Sequence, residues 1–177
     1  TPVPSSCLSA GSPIGRLSGV SNSNSTTNYY YNSLGQPLCS RQTIAGNSSD
    51  DFRYTLSPEG VVKSITYPSG RTVNFSLDAA GRVTSVAGAK TYASSVQYAS
   101  HGSIRSVSLG NNLVEDWTFN SRLQPNKIQA GNLLTIVNCY QASDDTQQCT
   151  GLAGSAANNG NLLRQVIARG SSTWTQN

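Results

Sequence analysis

The chemistry open to this chain is bounded by eight carboxylates, one histidine and four cysteines in 177 residues. Six of the carboxylates stand in adjacent pairs, Asp50-Asp51, Glu115-Asp116 and Asp144-Asp145. Two carboxyls about 5 to 10 Å apart across a sugar can hydrolyse a glycosidic bond. Neighbours in a strand point to opposite faces, so Glu115 and Asp116, in a segment that reads as a strand, are not expected to share a site. The pairs at 50 and 144 fall in segments that read as loops, where calcium ligation is the alternative use. His101 precedes Gly102 in a turn, with no nucleophile in a recognisable motif beside it, so a turn histidine is expected and a general base is not. No catalytic residue, cofactor site or metal site is assigned.

Cys7, Cys39, Cys139 and Cys149 lack the C-x-x-C spacing of a zinc site, and one histidine does not complete a cluster. An even count in a Ser- and Asn-rich chain fits disulfides formed in an oxidising compartment. Of three connectivities, the favoured one joins Cys139 to Cys149, closing a short loop around Asp144 and Asp145, and Cys7 to Cys39, pinning the first unit. The alternative is four free, buried thiols. Among the rings, Tyr29, Tyr31, Tyr54, Tyr98 and Trp117 fall at recurring positions and are expected to stack in ladders between strands. Tyr30, Tyr67, Tyr92 and Trp174 fall off that register and are the expected contacts for a glycan. Asn24, Asn47 and Asn74 open N-x-S/T triplets, the third inside an expected strand.

A formal net charge of +4 raises the question of nucleic acid. The cations Arg16, Arg41, Arg53, Lys63, Arg71, Arg82, Lys90 and Arg105 are scattered along the chain and form no patch, which fits solvated strand positions that discourage edge pairing. No nucleic-acid partner is expected, and anionic glycans are the alternative.

The elements that must position these residues announce themselves as a repeat. Gly15, Gly60, Gly81 and Gly102 are each followed by aliphatic residues two and five places on, namely Leu17/Val20, Val62/Ile65, Val83/Val86 and Ile104/Val107, and the last three glycines stand 21 residues apart. Six and four places before a glycine come Tyr29/Tyr31, Tyr54/Leu56, Phe75/Leu77 and Val96/Tyr98, with Gly35 closing the first of these. Side chains two apart share one face of a strand. The glycine then supplies a turn, helped by Asn32, Ser57 or Asp78 three residues earlier. Gly160 opens another such turn, and Pro68-Ser69-Gly70 and Gly110-Asn111-Asn112 mark turns at mid-unit.

One unit is therefore two strands and two turns, and the chain reads as all-β, an antiparallel meander of hairpin repeats with almost no helix. Strands are expected over 61–67, 71–77, 104–109 and 113–119. The position of Trp117 places Ser121 where a glycine would stand. Units are expected near residues 9–20, 29–44, 52–66, 67–87, 92–109, 113–130 and 133–169, one array across 1–177, with 144–148 a protruding loop. The first dozen residues and Ser21 to Asn28 read as unstructured.

Tyr31-Asn32-Ser33-Leu34-Gly35, Leu77-Asp78-Ala79-Ala80-Gly81-Arg82-Val83, Phe119-Asn120-Ser121-Arg122-Leu123-Gln124 and Asn158-Asn159-Gly160-Asn161-Leu162 resemble the tyrosine-aspartate (YD) repeats of the Rhs family, as in bacterial Rhs proteins, teneurins and toxin-complex shells. The likeness runs from about Gly15 to Ile167, with the Tyr-Asp pair itself reading Tyr-Asn at Tyr31, Leu-Asp at Leu77 and Tyr-Ala at Tyr98. The resemblance implies long antiparallel sheets spiralling into a hollow shell, in large secreted or surface proteins that enclose a toxic C-terminal domain or mediate adhesion. It also implies an association with carbohydrate. Such a shell takes many more units than this chain carries.

Only 36% of residues are hydrophobic and 11% charged, with Ser, Thr, Asn and Gln filling the difference. No apolar run is long enough to span a membrane as a helix. Both ends read as cut from a longer exported chain. The expectation is a noncatalytic, secreted or cell-surface scaffold that joins the rest of its precursor or copies of itself through sheet edges, as part of a sheet, shell or filament. A carbohydrate-binding or adhesion module and a segment of a toxin-encapsulating shell are the alternatives.

Overall fold

The computed structural model describes residues 7, 14–152 and 158–177. The first dozen residues other than Cys7, and part of the expected unit at 9–20, lie outside this range. The chain divides into two compact units, Thr1–Thr91 and Tyr92–Asn177. The first holds β1 (Gly19–Ser21), β2 (Ser25–Tyr31), β3 (Pro37–Ile44), β4 (Ser49–Leu56), β5 (Val62–Thr66), β6 (Thr72–Leu77) and β7 (Val83–Ala87). The second holds β8 (Thr91–Tyr98, beginning one residue before the division), β9 (Ile104–Leu109), β10 (Val114–Phe119), β11 (Pro125–Ala130), β12 (Leu134–Cys139), β13 (Arg164–Arg169) and β14 (Ser172–Gln176). A short 3₁₀ turn spans Ala142–Asp144. Within each unit every strand pairs antiparallel with its sequence neighbours. The fold is an all-β antiparallel meander, as the turn spacing predicts.

One turn module recurs. At Asn32, Ser57, Asp78, Ala99 and Asn120 the backbone N–H donates to the carbonyl four residues on, while the carbonyl accepts from the N–H three residues on. That third residue takes positive φ: Gly35 (74°), Gly60 (90°), Gly81 (75°), Gly102 (94°) and Leu123 (63°). The period of 21 thus continues through Leu123, not Ser121, which corrects the sequence reading. Leucine conceals the position because glycine is the residue that adopts this conformation freely.

A β-bulge travels with each of these turns. The pairing skips one residue on the returning strand at Leu38, Lys63, Thr84, Arg105 and Asn126, and the last four are again 21 apart. An unpaired residue bends the strand and raises its twist, so every unit repeats the same local curvature.

Ser25 to Asn28 form the first half of β2, contrary to the unstructured reading. Thr26 pairs with Thr43 and Thr27 with Gln42, and threonine suits a strand without adding apolar signal. Asp50 and Asp51 also belong to a strand, β4, where a loop was expected. The aromatic ladders are a further difference. Tyr29 faces Ser40, Tyr54 faces Ile65 and Trp117 faces Ile128, so rings lie beside aliphatic or small residues across the sheet. Two ring pairs are Phe52 with Tyr67 and His101 with Phe119.

Each unit has an apolar and a polar face. In the first, Tyr29, Phe52, Tyr54, Ile65, Val73, Phe75 and Val86 share one face by register, and Arg41, Asp51, Arg53, Thr66, Thr72 and Asn74 share the other. In the second, Trp117, Ile128, Ile136, Ile167 and Trp174 form one row across β10 to β14. On its opposite face Val137, Cys139, Cys149 and Val166 form a buried cluster with Leu152 packed against it.

Candidate functional site

The residues with the richest chemistry gather at two disulfides. Cys7 bonds to Cys39 and Cys139 to Cys149, with Cα separations of 5.6 and 5.4 Å, the favoured pairing. All four half-cystines are fully buried. Asp51 stands beside Cys7 and Cys39, but both sulfurs are committed to the disulfide and its carboxylate receives Arg41 through two bonds of 2.6 and 2.8 Å. Those hydrogen bonds hold the Asp51 carboxyl below the usual aspartate range and the Arg41 guanidinium above its usual value, with the Cys7 backbone N–H adding to the effect on Asp51.

The second disulfide closes a loop that is hydrogen-bonded throughout. Asp144 Oδ2 accepts from the backbone N–H of Tyr140 and Gln141, and its Oδ1 accepts from Asn120 Nδ2 at 3.1 Å. Asp145 Oδ1 accepts from the N–H of Gln147 and Gln148. This acidic pair, for which calcium ligation was the alternative use, organises its own loop. Arg164 Nη1 donates to the carbonyls of Gln148 and Thr150, anchoring the loop to β13. Glu115 and Asp116 lie in β10 on opposite faces, opposite Ala130 and Gln129.

The turn module carries its own polar caps, and these extend the glycine pattern. Asn32, Asp78 and Asn120 each use Oδ1 to accept from backbone N–H groups two and four residues on, at 2.9–3.1 Å. Ser57 Oγ accepts from the Val61 N–H alone. Asp78 Oδ2 also meets the Arg82 guanidinium, and hydrogen bonds from the Arg82 backbone and side chain keep its carboxyl below the ordinary value. Gly15 and Gly160 also have positive φ, 73° and 95°.

The residues expected to meet a glycan lie apart. Tyr30 is half-buried in β2 opposite Cys39. Tyr67 directly follows β5, its ring edge-on to Phe52 and under the Arg71 guanidinium at 4.7 Å. Tyr92 is exposed on β8. Trp174 is exposed on β14, yet its pairing with Ile167 puts it in the row of Trp117. That corrects its reading as off the register. His101 occupies the expected turn and packs edge-on against Phe119 with ring centroids 4.5 Å apart.

Residues 58–93 match the RHS Repeat family model. No curated protein matches the chain by sequence. The crystal structure of TcdB2-TccC3 is similar with a TM-score of 0.70 at 11% identity, over 87% of this chain and 8% of that one. TcdB2-TccC3 without its hypervariable C-terminal region gives 0.68 at 12% identity, over 85% and 8%. The Tc holotoxin pore of Photorhabdus luminescens gives 0.63 at 13% identity, over 71% and 7%. At such identities the likeness is one of fold, and this chain spans less than a tenth of each structure. Residues 58–93 are similar to the RHS repeat, and the β-meander around them has the fold of the parts of these toxin-complex structures that it matches.

Proposed function

We propose that this chain is a noncatalytic, extracellular structural scaffold, one repeat array that forms part of the wall of a larger Rhs-type β-shell. The observation that carries the reading is the match of 87% of the chain, at a TM-score of 0.70, to 8% of TcdB2-TccC3. A segment whose fold matches a small part of a much larger structure is suited to a like structural use. Its hydrogen bonding supports this, because the recurring polar side chains cap their own turns or neighbouring loops. Two disulfides support an oxidising, extracellular setting. Among the described residues no helix is long and apolar enough to cross a membrane.

The test is electron microscopy of the longest natural polypeptide that contains this segment, with an antibody fragment bound to the exposed loop at Thr146–Gln148 as a marker. The expected result is a hollow β-walled particle with the marker on its wall. A marker on a separate appendage overturns the shell reading. The noncatalytic part fails if the purified chain turns over a substrate and His101→Ala abolishes that turnover.

A further inference from the structure

Of the asparagines in this chain, one is followed by glycine: Asn159, ahead of Gly160. The backbone nitrogen that follows an asparagine can attack that side chain's carbonyl carbon and close a five-membered imide, and a glycine there has no Cβ to block the approach. Asn159 and Gly160 are both exposed in the turn that leads towards β13, with Gly160 at φ 95°. Asn159 Oδ1 accepts from the Asn161 N–H at 3.0 Å. That donor points at the oxygen on which negative charge gathers as the nitrogen adds, so the fold supplies one hydrogen bond of the oxyanion-hole kind. The Gly160 N–H donates to Asn158 Oδ1 at 2.9 Å, a bond that has to open for the nitrogen to react.

Other turn asparagines set the contrast. Asn22, Asn32, Asn111, Asn120 and Asn158 also accept through Oδ1 from the N–H two residues on. Serine follows Asn22, Asn32 and Asn120, and asparagine follows Asn111 and Asn158, so each has a Cβ beside the attacking nitrogen. Asn32, Asn120 and Asn158 are also held through Nδ2, the nitrogen that would have to leave. The surroundings of Asn159 give its reaction a consequence. Asn158 Nδ2 donates to Gln124 Oε1, and the Arg122 guanidinium donates to the Asn158 carbonyl. These two bonds fasten the turn at Asn158 to the turn at Asn120, which holds Leu123 at positive φ.

We propose that Asn159 is a site of spontaneous covalent modification through a succinimide, and that its conversion to isoaspartate unfastens this turn from the turn at Asn120. The Gly160 N–H gives up its proton to solvent base, the nitrogen bonds to Asn159 Cγ, and the Cγ–Nδ2 bond breaks to release ammonia. Water then opens the imide. Breaking the bond from the nitrogen to Cγ leaves aspartate, and breaking the bond to the backbone carbonyl leaves isoaspartate, whose main chain runs through Cγ and is longer by one methylene. Either product lowers the formal net charge of +4 by one. The longer main chain directly after Asn158 moves that residue off Gln124 and Arg122, whereas aspartate leaves the backbone as it was. The change runs one way and consumes only water, so it acts as a timer on the docking of the segment between β12 and β13. This inference is independent of the scaffold reading.

The experiment is incubation of the intact, disulfide-bonded chain at mildly alkaline pH, followed by peptide mapping with mass spectrometry, beside a synthetic peptide of residues 158–163. A gain of about 1 Da at residue 159 is expected in both, mostly as isoaspartate, while Asn22, Asn32, Asn111, Asn120 and Asn158 of the folded chain stay intact over the same period. The isoaspartyl form, separated by ion exchange, is expected to show faster hydrogen exchange in the turn at 120–124 than the parent. Asn159→Asp, with the same charge and an unaltered main chain, is expected to exchange there as the parent does. The proposal is overturned if Asn159 of the folded chain stays intact for as long as the peptide takes to convert, or if the other asparagines convert as fast. It is also overturned if the isoaspartyl form and Asn159→Asp exchange alike in that turn.

Discussion

Leu123 holds a backbone conformation that its side chain opposes. At φ 63° it fills the position held elsewhere by Gly35, Gly60, Gly81 and Gly102, at a cost of about 1 to 2 kcal/mol for a residue with a Cβ. Leu123→Gly removes that cost, loses little burial because the side chain is exposed, and restores some chain entropy to the unfolded state. A net gain of about 0.5 kcal/mol is expected in urea denaturation. Gly81→Ala has the opposite sign, a loss of about 1 kcal/mol, because φ is 75° and a Cβ there comes 3.5 Å from Val61 Cγ2, ordinary contact, so backbone strain is the whole effect. The sequence makes the glycines visible and hides Leu123, since nothing in a leucine signals a left-handed backbone.

Asp51 gives the pH dependence. Its carboxyl titrates lower in the folded chain than its ordinary value of 3.8, chiefly through the Arg41 side-chain hydrogen bonds. Its contribution to stability is therefore complete above that ordinary value and is lost as the pH falls through the depressed one. Asp51→Asn should lower stability near neutral pH by up to about 1 kcal/mol, because the pair is partly exposed and screened. The difference between Asp51→Asn and the parent should shrink as the pH drops below 3.8, measured by thermal denaturation across that range. An undiminished difference at the acid end would show that the loss arises from something other than the charge.

At the scale of elements, the repeat is a turn coupled to a bulge, and its two halves were unequally legible. The turn shows in sequence because glycine and Asx residues are chosen by backbone geometry. The bulge does not, because Leu38, Lys63, Thr84, Arg105 and Asn126 share only a place in the pairing. If the 21-residue unit is the true module, removing residues 60–80 joins Glu59 to Gly81 and recreates a turn with Ser57 three places before the glycine. That deletion should keep a cooperative β fold by circular dichroism, whereas removal of 60–70 should not, since it joins Glu59 to Arg71 and leaves Ser57 with no glycine three places on. The polar caps make a second test. Asn120→Ala loses two backbone acceptor bonds and the Nδ2 contacts to Gln124 and Asp144, and about 2 kcal/mol of stability is expected to go with them.

For the molecule as a whole, the low hydrophobic content of the sequence has a structural counterpart in where burial occurs. Among the described residues the fully buried side chains are Cys7, Cys39, Cys139 and Cys149, while recurring apolar residues such as Trp117, Ile128 and Ile136 are only half-buried. Strands that pair only in sequence order form long sheets with little to pack against them, so most of the ordering free energy comes from local hairpins. The bond between Cys139 and Cys149 compensates by stapling a covering loop to the sheet, where the loop ending at Cys149 covers Val137 and Val166. Removing such a bond from a loop of this size costs about 2 to 3 kcal/mol in the chain-entropy account. Cys139→Ala/Cys149→Ala should therefore lower Tm by roughly 5 to 10 °C, and dithiothreitol should lower the parent's Tm by more, since it opens both bonds. Hydrogen exchange should locate the loss from the double variant at β12, β13 and the covering loop, with protection in β2 to β6 unchanged. Equal loss of protection in both units would show that the covering segment serves the whole array and not the local cluster at Val137.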